Sequence, residues 1–345
     1  MSPYMSETPR PPLPNFAPKR KARSPFLDSR AFALAQVMFV VLNALPASWA
    51  RGVGLFLGRL AWRFDKRHRQ RVIRQMTIAF RDSVPLPEKE RLCYKFFEHI
   101  GLSVVEFARM GQLTRQNVSE LVDLSELKTF DALLARGKGL LCVPAHHGNW
   151  ELCGYSVSLM GYPLKSVARP LDNPLLNEMV MAHRERSGNE IIQKWKALWK
   201  LKKLLDRQQI VTMSVDQNGG VAGLFVPCFT SLASTVTSPA ELHVATRVPI
   251  IVATLNRKPD GIHHVLRVWD VIEHAPTGDH ARDIYDIITR INAAVEKAVR
   301  AYPEQWLWFH QRWKTRPPGE VPGPDGLPPV LVDKVHHSGL EITHA

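Results

Sequence analysis

Cysteine is scarce in this chain of 345 residues. The four present, Cys93, Cys142, Cys153 and Cys228, lie far apart and form no C-x-x-C pair. That spacing argues against a disulfide framework, and the thiols read as reduced and mostly buried in a cytosol-facing protein. Acidic residues are also in deficit: 32 Asp and Glu against 45 Lys and Arg leave a formal net charge of +13. Such a balance suits nucleic acid, an anionic membrane face, or an acidic or phosphorylated partner. Nucleic acid fits worst, because the chain has no zinc-finger spacing, RNA-binding aromatic signature or helical basic region. Neither a G-x-S-x-G elbow nor an H-E-x-x-H pair occurs, which removes the usual serine-hydrolase and zincin patterns. There is no internal repeat.

What the chain does have is proline and basic residues at its ends. Residues 1–30 (Pro9, Pro11, Pro12, Pro14, Lys19, Arg20, Lys21, Arg23) have little to bury and read as a disordered arm. Residues 317–345, with Pro317, Pro318, Pro322, Pro324, Pro328 and Pro329, read as a loosely attached tail. The division that follows is an arm (1–30), an apolar front (31–75), a main domain (76–316) and a tail (317–345).

Within the front, Ala31 to Ala50 contains no charged residue and is a transmembrane candidate by length. Asn43 and Pro46 interrupt it, and a helix from Ala31 to Leu45 would reach only about 22 Å at about 1.5 Å per residue. The hydrocarbon core needs about 30 Å. A second apolar stretch, Gly52 to Trp62, leads into Arg63, Lys66, Arg67, Arg69, Arg71 and Arg74. Basic residues flanking apolar helices mark a cytoplasmic membrane face. A cleaved signal peptide fits poorly, since the apolar run starts late and the basic cluster would be exported. The expectation is an anchoring or in-plane helix at an anionic membrane surface, with the body in the cytoplasm and a buried core helix as the alternative.

In the body, Leu86-Pro87-Glu88 opens a helix whose apolar residues Phe96, Phe97, Ile100 and Val104 recur at spacings of three and four. Gly139 to Ala145, Ile210 to Val215 and Val248 to Thr254 are apolar runs of strand length, and a helix follows from about Trp150 to Leu159. Strands alternating with helices predict an α/β fold: a mixed sheet with helices on both faces, preceded by the N-terminal apolar membrane-associating helix.

The first of these strands delivers His146 to a turn, in the run Val143-Pro144-Ala145-His146-His147-Gly148-Asn149-Trp150-Glu151. Glu151 follows five positions later, in the first turn of the helix, where its carboxylate can fold back toward the imidazole. A carboxylate accepting from one ring nitrogen fixes the tautomer, so the other nitrogen can take a proton from an alcohol. Gly148 and Asn149 allow close backbone approach, and N–H groups at a helix start can receive an oxyanion or phosphate. A chance pairing of His and Glu at this spacing is the competing explanation.

Four blocks together resemble the lipid A late acyltransferase family, whose enzymes move fatty acyl chains from acyl carrier protein to a lipid A precursor. His146-His147-Gly148-Asn149-Trp150-Glu151 is similar to that family's H-F-G-N-W-E. Val167-Ala168-Arg169-Pro170-Leu171-Asp172-Asn173-Pro174 is similar to its arginine-bearing block. Asp216-Gln217, Gly223 and Phe225-Val226-Pro227-Cys228-Phe229 follow its D-Q…G-x-F-V-P-F-F segment. Trp308-Phe309-His310-Gln311-Arg312-Trp313-Lys314-Thr315-Arg316-Pro317 resembles its terminal block. The similarity covers about residues 35–317 in the family's order.

The resemblance implies a glycerol-3-phosphate acyltransferase-like domain at the cytoplasmic face of the inner membrane. His146 would deprotonate the acceptor hydroxyl for direct attack on an acyl thioester, with Glu151 orienting it and no acyl-enzyme formed. Arg169 would bind an acceptor phosphate through its guanidinium fork. Asp216 would pair with Arg169, border the site or cap a helix. Trp308, His310, Arg312 and Lys314 would pack beside the site, His310 as a structural histidine. Gly148 and Asn149 complete the expected substrate-binding set. No metal and no cofactor are expected beyond the thioester co-substrate. The partners are acyl carrier protein, a glycolipid acceptor and the anionic membrane, and the oligomeric state is not legible. Two departures stand out: His147 replaces the usual aromatic residue, and Cys228 and Thr230 change the F-F-G ending, both bearing on pocket shape.

The basic amphipathic stretch Gln193 to Arg207 (Lys194, Lys196, Lys200, Lys202 and Lys203 with Trp195, Trp199 and Leu201) suits an anionic membrane, the acidic carrier protein or a plain surface helix. Other readings are a metal-dependent hydrolase using His146, His147 and Glu151 as ligands, transfer to a phosphatidylinositol mannoside or other phospholipid, and a non-catalytic lipid-binding protein.

Overall fold

The computed structural model describes residues 24–193 and 197–331. Four helices come first: α1 (Pro25–Ala44), α2 (Ala47–Phe64), α3 (Lys66–Phe80) and α4 (Leu86–Arg109). Pro46 separates α1 from α2, since it holds the preceding Leu45 in the extended region. The helix begins at Pro25, ahead of the uncharged run, so α1 has twenty residues and reaches about 30 Å at 1.5 Å each. The length objection drawn from Ala31 to Leu45 is thereby overturned: α1 is long and apolar enough to cross a membrane. Most of it is exposed, with Phe26, Leu34, Val37 and Val40 facing outward. Asn43 does not break the helix, because its amide donates to Phe39 O at 2.8 Å and Ala108 O at 3.0 Å.

Residues 24–30, assigned to the arm, thus belong to Ser24 and α1; the rest of the arm, 1–23, lies outside the described residues. The tail also differs up to Leu331. Arg81 pairs with Asp325 at 3.1 Å, Ser231 Oγ donates to Pro329 O at 3.0 Å, and Leu331 N–H donates to Thr230 O at 2.8 Å. Its prolines withhold amides, but their carbonyls still accept, as Pro329 O does from Ser231.

α2 rests one face on α4 through glycines. A β-carbon at Gly101 would lie 2.1 Å from Gly54 O, and one at Gly58 would lie 2.4 Å from Phe97 O, so the two backbones meet directly. The opposite face of α2 leaves Trp49, Phe56, Leu57 and Leu60 exposed.

The rest of the chain alternates: α5 (Val118–Leu121), β1 (Val122–Asp123), α6 (Leu127–Leu134), β2 (Leu140–Cys142), α7 (Trp150–Leu159), β3 (Leu164–Ala168), α8 (Pro174–Glu185), β4 (Glu190–Gln193), α9 (Ala197–Asp206) and β5 (Ile210–Thr212). Then come β6 (Leu224–Cys228), β7 (Ser231–Thr235), α10 (Ser238–Thr246), β8 (Ile250–Arg257), β9 (His264–Ile272) and α11 (His280–Ala301). Seven strands form one sheet in the order β1-β9-β8-β2-β5-β3-β4. All neighbours run parallel except β8 and β9, and β6 with β7 makes a separate antiparallel pair.

The expected mixed sheet with helices on both faces is present, and strand alternation shows why. Leu141, Val211, Ile250 and Val252 enter one core with residues of α3, α4, α10 and α11. Their neighbours Leu140, Ile210, Ile251 and Ala253 enter a second core with α6 and α7. β2 and β5 are shorter than the apolar runs suggested. Pro144, with no amide to donate, ends the ladder after β2 and lets the chain leave the sheet at its centre.

Candidate active site

The turn after β2 is held rigidly. Gly148 has φ +62, and a β-carbon there would lie 1.8 Å from Leu255 O, so only glycine fits. Asn149 caps α7, its side-chain oxygen accepting from Leu152 N–H at 3.0 Å while its amide donates to Glu106 Oε2 at 2.7 Å. Gly148 N–H donates to Gln305 O and Asn149 N–H to Leu255 O, both at 2.9 Å. His99 Nε2 donates to Gly148 O at 3.1 Å. This corrects the assignment of Gly148 and Asn149 to substrate binding: both N–H groups are consumed within the protein, and Asn149 is fully buried.

The strapped turn presents His146. Its Nδ1 lies 2.7 Å from Asp216 Oδ1, and its backbone N–H donates to Asp216 Oδ2 at 2.7 Å. Trp306 Nε1 donates to the same Oδ2 at 2.9 Å. Burial alone would raise the Asp216 carboxyl, but the imidazole and these donors outweigh it and bring Asp216 down to about 2. For His146, burial opposes the charged ring most strongly, yet Asp216 holds its pKa above the ordinary value. Among the described residues no hydrogen bond reaches Nε2. An ionised aspartate therefore fixes the Nδ1–H tautomer and leaves Nε2 as the acceptor.

Glu151 stands in the first turn of α7 as expected, but its carboxylate does not orient His146. Arg184 on α8 takes it in a fork, Nε to Oε2 at 2.8 Å and Nη2 to Oε1 at 2.5 Å, and Trp150 Nε1 adds a contact at 3.2 Å. The first turn of α7 faces α8, whereas Asp216 just beyond β5 sits beside the ring, so the distant carboxylate wins. Asp216 likewise does not pair with Arg169. Arg169, directly after β3, is 63% exposed at its side chain and among the described residues reaches only Asp172, at 3.4 Å. Arg184 escaped the sequence analysis because nothing distinguishes it within His183-Arg184-Glu185-Arg186.

His147 turns away from the site into the core. Asn256 Nδ2 donates to its Nδ1 at 2.9 Å, and its Nε2 donates to Tyr302 O at 3.0 Å. Burial lowers its pKa to about 4, so it is neutral. With both ring nitrogens engaged it does not join His146 and Glu151 as a ligand, and among the described residues no three His, Cys, Asp or Glu side chains converge on a metal. His310 Nε2 accepts Asn218 N–H at 2.7 Å, a structural histidine. Cys228 and Thr230 do not line the cavity at His146; Thr230 Oγ1 donates to Ile78 O at 2.7 Å. The two departures from the family pattern therefore leave the cavity wall untouched.

That cavity, about 910 Å³, is lined by His146, Glu151, Arg184 and Arg169 at its outer part. Its inner wall is apolar, with Met110, Phe130, Val157 and Leu266. α9 forms part of the rim: Leu198 and Trp199 are exposed and line it, and Lys203 Nζ stands 3.5 Å over the Trp199 ring. Lys194, Trp195 and Lys196 of the expected basic helix lie outside the described residues.

Comparison with known proteins gives these features a class. A sequence model described as bacterial lipid A biosynthesis acyltransferase matches residues 15–315. The lipid A biosynthesis lauroyltransferase of Escherichia coli (strain K12) is 30% identical over 288 residues, 82% of this chain and 90% of that enzyme. The lipid A biosynthesis palmitoleoyltransferase of the same organism is 26% identical over 272 residues, covering 78% and 86%. A lipid A biosynthesis acyltransferase of Haemophilus influenzae is 25% identical over 317 residues, covering 90% and 97%. The protein is an acyltransferase. More particularly, the chain belongs to the bacterial lipid A biosynthesis acyltransferase family.

Proposed function

We propose that the protein moves a fatty acyl chain from a thioester on acyl carrier protein to a hydroxyl of a lipid A precursor, with His146 as the base. The single observation that carries this is the His146–Asp216 pair standing at a cavity whose inner wall is apolar. His146 Nε2 takes the proton of the acceptor hydroxyl as its oxygen attacks the thioester carbonyl. The new C–O bond forms, the C–S bond breaks, and the imidazolium returns the proton to the departing thiolate. Asp216 stabilises the transient imidazolium and keeps its tautomer.

Direct attack is favoured over an acyl-enzyme. Cys142 and Cys153 are the thiols lining the cavity, and burial raises Cys142 well above the ordinary range and Cys153 to about 12, so both stay neutral and weakly nucleophilic. Arg169, exposed and loosely partnered, is the group offered to an acceptor phosphate, with Arg184 deeper in the same wall. Glu151 acts through Arg184 by holding its guanidinium. Kinship of the fold with glycerol-3-phosphate acyltransferases is part of the same proposal.

The exposed apolar face of α1, the exposed aromatic and leucine residues of α2, and the basic residues Arg63, Lys66 and Arg67 that follow support attachment to the inner membrane with the site on the cytoplasmic side. The names of the relatives favour a lipid A acceptor over a phosphatidylinositol mannoside.

The test is transfer by purified, detergent-solubilised protein from an acyl-carrier-protein thioester to lipid A precursor, followed by mass spectrometry. A mass gain of one acyl chain is expected; no gain there, with acylation of another phospholipid acceptor instead, overturns the acceptor assignment. The rate also has a predicted pH dependence. The base works as neutral imidazole, and His146 is held above its ordinary value, so transfer rises with pH through a pKa above about 6.5. An acid limb lying below that value would count against His146 as the base.

A further inference from the structure

We infer that the buried end of the cavity selects acyl-chain length, with Phe130 as its floor and Gly154 as the open point in its side wall. The inference rests on the acyl-transfer proposal and extends it to specificity. Two of the relatives are named for different acyl chains, lauroyl and palmitoleoyl, so length is a property on which members of this family differ.

Exposure of the lining gives the cavity a direction. At the rim, the side chains of Arg169 and Asp172 are 63% and 67% exposed. At the other end, Met110 is 1% exposed, Phe130 3% and Leu266 0%. On the sheet side the lining passes from Ala168 on β3 through Thr212 on β5, Cys142 on β2 and Ala253 on β8 to Leu266 on β9. Those four inter-strand steps span roughly 19 Å at about 4.8 Å each. His146 stands just beyond the end of β2, between the charged rim and the apolar end. A thioester carbonyl at His146 would therefore send its hydrocarbon inward, where among the described residues no charged side chain lines the cavity.

Phe130 closes that end for a local reason. Leu127, Phe130 and Leu133 recur every three residues on α6 and all are buried, so the helix turns this stripe into the core. The Phe130 ring is backed by Tyr162, edge-on at 6.0 Å, whose hydroxyl donates to Asp131 at 2.5 Å. It is a supported wall.

Gly154, in the middle of α7, lines the same space. A β-carbon there would make only ordinary contact, with Asn189 Nδ2 at 3.6 Å and Leu164 Cδ1 at 4.0 Å, both of which also line the cavity. A helix-interior glycine is unfavourable in itself, and a larger residue would improve the helix. Its retained cost is accounted for if the missing side chain leaves room for the acyl chain.

The experiment compares wild type, Gly154→Leu and Phe130→Leu with carrier-protein thioesters from octanoyl to palmitoyl, reading kcat/KM for each. Gly154→Leu is expected to melt no lower than wild type and to lower the palmitoyl-to-octanoyl ratio by about tenfold or more, since one methylene misfit discriminates about 10-fold or better. Phe130→Leu is expected to move the preference toward longer chains. If Phe130→Leu does not fold, Gly154→Leu decides alone. A folded Gly154→Leu with the wild-type length profile, or with equal loss at every length, overturns the inference. If wild type itself transfers no chain to lipid A precursor, the acyl-transfer proposal is what fails.

Discussion

His146→Ala is expected to remove acyl transfer by roughly two to four orders of magnitude, the usual contribution of a positioned general base. Asp216→Asn is expected to come close to it, and this is the sharper experiment. Asp216 receives the ring, the backbone N–H of His146 and the indole of Trp306. An asparagine keeps the shape but loses the charge that holds the imidazole pKa up, and its amide cannot accept at both positions. The acid limb of the pH profile should therefore move to lower pH in Asp216→Asn while the remaining rate falls. Glu151→Gln leaves the His146–Asp216 hydrogen bond in place and frees Arg184, so its expected mark is a raised KM for the acceptor with a smaller pH shift, since Glu151 acts on His146 less than Asp216 does. Rates and pH profiles of the three purified variants check this. An Asp216→Asn enzyme as active as wild type, beside an inert Glu151→Gln, would return the orienting role to Glu151.

The second large effect is on stability. Arg257, at the end of β8, forks onto Glu106 of α4, with Nη2 to Oε2 at 2.7 Å and Nη1 on Oε1. Its backbone N–H donates to Gln305 Oε1 at 2.9 Å, and Gln305 Nε2 returns to Arg257 O at 3.0 Å. Burial opposes ionisation of Glu106, but Arg257 and His264 outweigh it and hold the carboxyl well below the usual range. Arg257→Ala leaves that carboxylate without its main countercharge, and removing one partner of a buried pair costs about 3–5 kcal/mol. Because Glu106 also holds Asn149, and Gln305 also holds Gly148, activity should fall together with stability. Thermal unfolding lower by roughly 6–15 °C, at about 2–3 °C per kcal/mol, is the expected readout. A shift of a degree or two would show that the pair is solvated and contributes little. Arg257→Lys keeps the charge without the fork and should lie between.

Much of this architecture was legible along the chain because its cause is local. The three-and-four spacing through Phe96, Phe97 and Ile100 predicts α4, and helix α7 begins at Trp150, one residue past its asparagine cap. The apolar runs at Leu140, Ile210 and Ile250 predict the central strands β2, β5 and β8, because strands covered on both faces carry few polar residues. β3, β4 and β9, nearer the edges and more polar, carry no such run, and β1 is too short to have one.

The order of four blocks by itself carried the resemblance to an acyltransferase family, and the motif at His146 by itself placed a histidine on a strand-to-helix turn. Those features depend on residue type and short spacing. Which carboxylate serves the histidine was decided only by the tertiary structure. Asp216 is seventy positions away in sequence and reaches His146 because β2 and β5 are neighbours in the sheet, while Glu151, five positions away, is turned by its helix toward Arg184. The same holds for the use of the Gly148 and Asn149 amides, the inward turn of His147 and the floor at Phe130. Each is set by what folds against it, and spacing along a chain carries no record of that.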